Sequence, residues 1–511
     1  MTTSSMPVKA LAILGTGSDV GKSLIAAGIC RLQSRRGVRV APFKAQNMAL
    51  NSFVTIDGGE IGRAQALQAQ ACGIEPTVDM NPILLKPESD SRSQVVVRGK
   101  VYEPLDALAY FERKEKLFSI IRDCYARLVA GYECVVIEGA GSAAEINLRD
   151  HDIVNWPVVE LADASVVLVA DIDRGGVFAQ IIGTLDLLAP HERQRVRGVI
   201  VNKFRGDRRL FEDGVRLLET RTGLPVLGVV PYVRDLRLDQ EDSLDLAPSQ
   251  SVQFKPDSTN VAVVLLPRMS NFTDFNSLAA EKDVALRFAA SPDDLRGADV
   301  VILPGSKNTL EDLDYLVTLA FPDVLESHLH RGGELVGICG GYQMLGQAIA
   351  DPMGLERGGT SAGLGFLDVT TELDAPKICR QVRATALLHG VAPHAPVRGY
   401  EIHMGRTNRG TVNPCFHTEA PEILEANPKG NEGAVSESGL VWGTNIHGLF
   451  DQAEFRRGWL NRVRGRKGLP PISTHESELI SAKLDSELDR WSDHLERYVN
   501  MDAIYQICER R

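Results

Sequence analysis

The sequence predicts an α/β protein built from two doubly wound, mainly parallel-sheet domains, and three observations carry that expectation. Short apolar, β-branched runs alternate with amphipathic helical patterns as far as Val230, which reads as a parallel sheet with helices on both faces. A glycine-rich turn, Gly15 to Ser23, joins the first run to the first helical pattern. At 511 residues the chain is too long for one core when domains run to roughly 100–200 residues. A polar stretch from Arg234 to Pro256, rich in Asp, Gln, Ser and Pro, separates the first series from a second.

In order, the expected strands of the first series are Leu11–Leu14, Val38–Ala41, Cys134–Ile137, Ser165–Ala170, Gly198–Val201 and Pro225–Val230. Helical periodicity places helices at Lys22–Arg35, Ile61–Cys72, Lys114–Ala130 and Val177–Leu188. The second series opens with strands at Val261–Leu265, Asp299–Leu303 and Glu334–Ile338. From Phe455 to Arg511 the chain is charge-rich with a helical pattern, and Asp485 to Tyr498 is expected on the surface. The expected domains are 1–233 and 259–455, with a linker over 234–258 and a C-terminal helical segment over 456–511.

Composition narrows the class. With 44% hydrophobic and 24% charged residues and a mean hydropathy of -0.09, the chain is of ordinary globular type. No run approaches the ~20 apolar residues of a membrane span. Met1 to Ala10 hold one lysine and no long apolar stretch, so no leader is expected and the cytoplasm is the expected compartment. A net charge of -11 leaves no basic footprint for nucleic acid, and a polyanionic substrate would need a locally basic pocket. The eight cysteines, at 30, 72, 124, 134, 339, 379, 415 and 508, form no C-x-x-C pair, which argues against zinc, iron–sulfur or a disulfide framework. A homo-oligomer stays open.

The turn Gly15-Thr16-Gly17-Ser18-Asp19-Val20-Gly21-Lys22-Ser23 reads as a phosphate-binding loop. It follows a strand and opens a helix, so backbone N–H groups and the positive helix end converge on one anion. ATP is the expected ligand, held by Gly17, Val20, Gly21 and Lys22, with the Ser23 hydroxyl on magnesium. Thr16 replaces the first glycine of the usual G-x-x-x-x-G-K-[ST] pattern. Glu138, at the carboxyl end of a strand, is a second magnesium candidate, with a helix-capping glutamate as the less favoured alternative. Asp57 is a third, in a D-G pair that is also a common turn. Asn202 and Lys203 follow a strand where base recognition is expected, and Arg205 stands where guanine specificity would want an aspartate, so adenine is favoured.

A second motif, Gly337-Ile338-Cys339-Gly340-Gly341-Tyr342-Gln343, places a cysteine at the end of an apolar strand. The paired glycines permit a strained turn and let backbone N–H groups approach an oxyanion. A helix N-terminus favours the thiolate, so Cys339 is the expected nucleophile. Its expected base is His447, which follows a strand-like run, with His403 as competitor.

The G-x-C-x-G-x-Q pattern around Cys339 resembles the class I glutamine amidotransferases. The phosphate loop resembles that of dethiobiotin synthetase and its relatives. Almost the whole chain resembles the cobyric acid synthase family, glutamine-hydrolysing enzymes of cobalamin biosynthesis. The segments that carry this are Lys44–Ser52, Asn81–Pro87, Ser93–Val97, Glu138–Leu148 and Tyr400–Gly405.

The resemblance implies a P-loop ATPase-like amidoligase domain followed by a class I glutaminase domain. It implies that Gln343 helps hold glutamine, and that the N–H of Gly340 and one from the Pro304-Gly305-Ser306 loop, Gly305 being the residue singled out, form an oxyanion hole. It implies ATP- and glutamine-dependent amidation of the b, d, e and g carboxylates of adenosylcobyrinic acid a,c-diamide. Lys44, Asn47, Asn51, Lys86 and Arg92 are the candidates for the corrinoid pocket, since basic and amide side chains suit carboxylates and amides.

One departure stands out: class I enzymes commonly carry a glutamate two residues past the histidine, and here that position is Leu449. A backbone carbonyl or another carboxylate is left to orient His447. Two rival readings remain, the a,c-diamide synthase of the same pathway and a partitioning-type ATPase with an inert glutaminase-like module. Intact Cys339, Gln343 and His447 argue against the latter.

Overall fold

The computed structural model describes residues 9–88, 92–106, 113–234, 236–238, 252–392, 395–419, 430–474, 477 and 480–509. Much of the expected 234–258 linker lies outside the described residues. The first sheet contains β1 (Lys9–Gly15), β2 (Val40–Phe43), β3 (Cys134–Glu138), β4 (Ser165–Asp171), β5 (Val196–Phe204) and β6 (Val226–Pro231), in the order β6-β5-β4-β1-β3-β2. Every pairing is parallel. Nearly every residue of β1, β3 and β4 is buried, which is why these strands read as continuous apolar runs rather than as alternation.

Strand order reverses beside β1, and ligands of such sheets bind at the carboxyl ends of the strands at that point. Helix α1 (Lys22–Arg35) starts immediately beyond the glycine-rich turn, and α2 (Arg63–Cys72) packs on it.

The second sheet contains β7 (Thr259–Val264), β8 (Val284–Ala289), β9 (Val300–Leu303), β10 (Glu334–Ile338), β11 (Ala434–Val435) and β12 (Val441–Thr444). Its order is β8-β7-β9-β10-β12-β11, parallel except for the last pair. The short helix α3 (Gly340–Met344) follows β10 after a single residue, Cys339. The sequence reading missed β8, whose Val-Ala-Leu-Arg-Phe-Ala run is interrupted by Arg287. It also missed the smaller sheets, among them a mixed one and an antiparallel one. One joins Gln46–Met48, Ile83–Pro87, Arg92–Val97 and Lys100–Asp106, and another joins Ile378–Ala386, Pro396–His403, Phe416–Thr418, Asn431–Glu432 and Ile446–His447.

The C-terminal helices depart from expectation. Helix α4 (Ile480–Tyr498), whose 485–498 stretch was expected on the surface, packs one face on α1 of the first domain and is followed by α5 (Met501–Glu509). Leu488, Trp491 and Leu495 share one apolar stripe and are all at most 4% exposed. The approach depends on Gly28, where a Cβ would lie 2.2 Å from Leu495 Cδ1. On the polar flank Arg31 and Arg35 pair with Asp489. A charge-rich helix was mistaken for a solvent-facing one because its apolar spacing of three and four was outweighed by its composition.

The two domains meet where residues 51–60 of the first lie against the second. Lys377 Nζ donates to Glu60 Oε2 at 2.6 Å, Lys307 Nζ to Glu88 Oε1 at 2.7 Å, and Gln381 donates to the Val54 carbonyl. These contacts bring strands of the second domain within reach of the loop that follows Gln46–Met48.

Candidate active sites

The phosphate loop is folded as its residues require. Gly21 has φ 96°, and a Cβ there would sit 2.2 Å from Asn202 Nδ2, so only glycine fits. Asn202 Nδ2 in turn donates to the Val20 carbonyl at 2.9 Å, tying the end of β5 to the loop. Lys22 Nζ donates to the Gly17 and Gly141 carbonyls at 2.9 and 3.0 Å, spanning the anion cradle. Glu138, fully buried at the end of β3, accepts from Ser23 Oγ at 2.7 Å and from Lys44 Nζ at 3.0 Å. A hydroxyl and a carboxylate oxygen at this distance suit a hard cation that also takes phosphate oxygens.

Asp57 is not brought to this pair. It sits in the Thr55–Gly59 turn, accepts from Thr55 Oγ1, and adjoins Gly58, whose added Cβ would meet the Cys379 carbonyl of the second domain.

A cavity of about 430 Å³ opens beside the loop, lined among others by Lys22, Lys44, Asn47, Glu145, Arg149 and Trp156. Two of the five corrinoid candidates, Lys44 and Asn47, reach it. Asn51 and Lys86 do not: both are buried at the domain seam. Lys86 Nζ donates to Glu60 Oε1 at 2.7 Å and to Ser52 Oγ at 2.9 Å. Burial lowers the Lys86 ammonium to about 8 against the opposing pull of Glu60. Burial opposes charge on Glu60 too, but Lys377 and Lys86 outweigh it and hold its carboxyl well below the usual range. Arg92 opens the strand Arg92–Val97. The basic residues of this region were legible in sequence, but the acidic partners that consume them were not.

In the second domain Cys339 has φ 53° and ψ -112°, a strained conformation for a residue with a side chain. The strain is sustained by Cys339 N donating to the Thr444 carbonyl at 2.7 Å and Gly341 N donating to that of Pro304 at 3.0 Å. A Cβ on Gly341 would lie 2.1 Å from the Leu303 carbonyl oxygen, and one on Gly340 would lie 2.9 Å from the Ser306 nitrogen. The peptide nitrogen beside Gly340 is therefore that of Ser306, while Gly305 faces the His447 ring, 3.1 Å from an added Cβ to Cε1. Gln343 is buried, with Oε1 accepting from Thr309 Oγ1 at 3.3 Å and Nε2 donating to the Met404 carbonyl at 3.2 Å.

His447 is fully buried, and Cys339 is among the neighbours that favour its charged form. Its orienting group is Asp274, in the 3₁₀ turn Phe272–Phe275 beyond β7: Nδ1 lies 2.7 Å from Asp274 Oδ2, and Gly448 N donates to Asp274 Oδ1 at 2.9 Å. Burial disfavours the imidazolium, but the Asp274 carboxylate more than compensates and raises His447 to about 10. Tyr400 stacks on the imidazole at 5.3 Å between centroids. His403, the competitor, lies nearby, but burial lowers its basicity and its Nδ1 has no partner among the described residues.

Asp274 was missed because it precedes the histidine by 173 residues; the only sequence signal was a carboxylate just beyond the first strand of the second series. Leu449 is itself fully buried beside Phe450. Leu449→Glu is expected to place an unpaired charge in that core, costing about 3 kcal/mol or more. The measurement is a lowered thermal midpoint with no gain in glutaminase rate.

A phosphate-loop domain followed by a domain with a Cys–His–Asp constellation on a strand-to-helix turn defines a glutamine-dependent amidotransferase with its own nucleotide site. Residues 11–245 match the CobQ/CobB/MinD/ParA nucleotide binding domain, and residues 260–455 match the CobB/CobQ-like glutamine amidotransferase domain. Cobyric acid synthase of Streptococcus sanguinis (strain SK36) is 48% identical over 506 residues, covering 98% of this chain and 99% of that one. That of Klebsiella pneumoniae (strain 342) is 48% identical over 507 residues, covering 98% of each. The chain belongs to the cobyric acid synthase family. Among solved structures, PurLQS from Thermotoga maritima is 16% identical with a TM-score of 0.32, covering 41% of this chain and 99% of that one. Among the described residues no helix is long and apolar enough to cross a membrane.

Proposed function

We propose that the chain catalyses ATP- and glutamine-dependent amidation of the b, d, e and g carboxylates of adenosylcobyrinic acid a,c-diamide, acting in the cytoplasm. The observation that supports this most is one chain holding both a thiol–imidazole–carboxylate site and a phosphate loop opening on a 430 Å³ cavity with basic and amide lining. In the glutaminase site His447 holds the proton given up by the Cys339 thiol, as its raised proton affinity favours, and Sγ attacks the glutamine amide carbon. The N–H of Gly340 and one from the 304–306 loop face the oxyanion, and Gln343 helps hold the substrate. His447 returns the proton to the departing ammonia, and water then hydrolyses the thioester to glutamate.

In the other domain a corrinoid carboxylate oxygen attacks the ATP γ-phosphoryl, ADP leaves, and ammonia displaces phosphate from the acyl phosphate. Gly17, Val20, Gly21 and Lys22 cradle the phosphates, with Asn202 holding the loop. Ser23 and Glu138 would hold Mg²⁺, which offsets charge on the transferring phosphoryl. Lys44 and Asn47 line the acceptor side.

The test is product mass after incubation with corrinoid a,c-diamide, ATP, magnesium and glutamine. Four successive amide-for-acid exchanges support the reading, and a stop at two would favour the a,c-diamide synthase. Lys22→Ala is expected to remove amidation with either glutamine or ammonium while the thermal midpoint holds. Retained turnover with ammonium and ATP would mean that this loop is not the phosphoryl-transfer site.

A further inference from the structure

The imidazole of His447 is held by residues that are themselves held by the other domain. Asn271 lies on the loop beyond β7, 2% exposed, with φ 54°. Its Nδ2 is 3.4 Å from His447 Nε2, and its Oδ1 accepts from the backbone N–H of Ser52 at 3.0 Å. Tyr400, stacked on the same imidazole, donates its hydroxyl to the backbone carbonyl of Ser52 at 3.3 Å. Both backbone polar groups of Ser52, a residue of the first domain, are thus bonded to the two second-domain side chains that flank the histidine.

The clasp is reciprocal. Asn51 Oδ1 accepts from Phe272 N at 3.1 Å, fixing the loop that continues to Asp274. Within the first domain Ser52 is anchored in turn: its Oγ donates to Glu60 Oε1 at 2.8 Å and accepts from Lys86 Nζ.

We infer that Ser52 and Asn51 of the first domain complete the glutaminase site of the second, with Asn271 and Tyr400 as positioning residues for His447. The segment is well placed to carry information. Gln46, Asn47 and Met48 line the cavity beside the phosphate loop, and the chain runs from them directly into Asn51 and Ser52. A shift of that strand when the cavity fills would be transmitted through three hydrogen bonds and one stacked ring to the base that activates Cys339. Ammonia release is thereby tied to the state of the amidating domain. The inference rests on the proposed division of labour between the two domains.

The first test uses Asn271→Gly in the full chain. Glycine adopts φ 54° without cost, so the substitution removes both side-chain bonds and leaves the backbone in place. Glutamine hydrolysis is expected to lose about tenfold or more in kcat with little change in KM. The acid limb of its pH profile should shift, because the titratable groups facing His447 among the described residues are Asp274, Cys339, His403 and Tyr400, and Asn271 no longer stands with them. Tyr400→Phe keeps the stacked ring and removes only the bond to Ser52. It is expected to lower glutaminase kcat in the same direction, and Asn51→Ala, a change in the opposite domain, should do so as well.

Ammonium-driven amidation by Asn271→Gly and Tyr400→Phe is expected to stay near wild type. Unchanged glutaminase kcat and pH profile in folded Asn271→Gly and Tyr400→Phe would overturn the inference, as would an Asn51→Ala defect confined to ammonium-driven amidation. Failure of the underlying reading looks different, since Cys339→Ala would then still hydrolyse glutamine.

Discussion

Cys339→Ala abolishes glutamine-dependent amidation and leaves ammonium-driven amidation in place. Only the thioester step needs the sulfur, and the residue is otherwise lightly held: its Sγ donates to the Ile402 carbonyl at a long 3.8 Å. Losing so weak a bond costs the fold about 1 kcal/mol at most, and the Cys339 backbone, pinned by Thr444 and through Gly341 by Pro304, is unchanged. The strained φ of 53° is no worse for alanine than for cysteine. Product from glutamine should fall by about 10³-fold or more. With saturating ammonium the rate should stay within about twofold of wild type, since the phosphate loop and cavity belong to the other domain. Parallel rates with the two nitrogen sources check this. No rescue by ammonium would mean that the thiol also serves the ligation step.

What the sequence disclosed and what it hid divide along one physical line. Features encoded within a short window were legible. The phosphate loop is a turn, a strand end and a helix start within nine residues. Cys339 is a strand end with two glycines beyond it. The parallel strands are buried on both sides and so spell out their burial in unbroken Val, Ile and Leu. Features made by pairing distant segments were not legible. Asp274 reaches His447 across 173 residues, and Glu60 meets Lys377 across 317. Asn51 and Lys86 looked like pocket residues because amide and ammonium groups suit a polycarboxylate; the structure buries both at the seam between domains. The packing partner of the helix at Ile480–Tyr498 was illegible for the same reason, since α1 lies at the other end of the chain.

The missing class I glutamate is where that limit mattered most, and it leads to the sharpest expectation. Asp274 accepts two hydrogen bonds, from the imidazole at Nδ1 and from Gly448 N–H. Asparagine has only one oxygen to offer. If that oxygen keeps Gly448, the amide nitrogen faces Nδ1, which must then become an acceptor. The ring proton moves to Nε2, the nitrogen that has to take the Cys339 proton. Asp274→Asn should therefore lower glutaminase kcat by about 10³-fold or more through the wrong tautomer alone.

A second readout follows from linkage. With Asp274 present, His447 is raised from 6.5 to about 10 against the opposing effect of burial. A folded-state value above the unfolded one gives stability that is fully present below pH ~6.5 and is lost as pH rises through about 10. The wild-type thermal midpoint should decline across that window, and Asp274→Asn should flatten the decline. Ammonium-driven amidation should persist in the variant. A glutaminase rate within about tenfold of wild type would show that Asp274 packs against the histidine without orienting it.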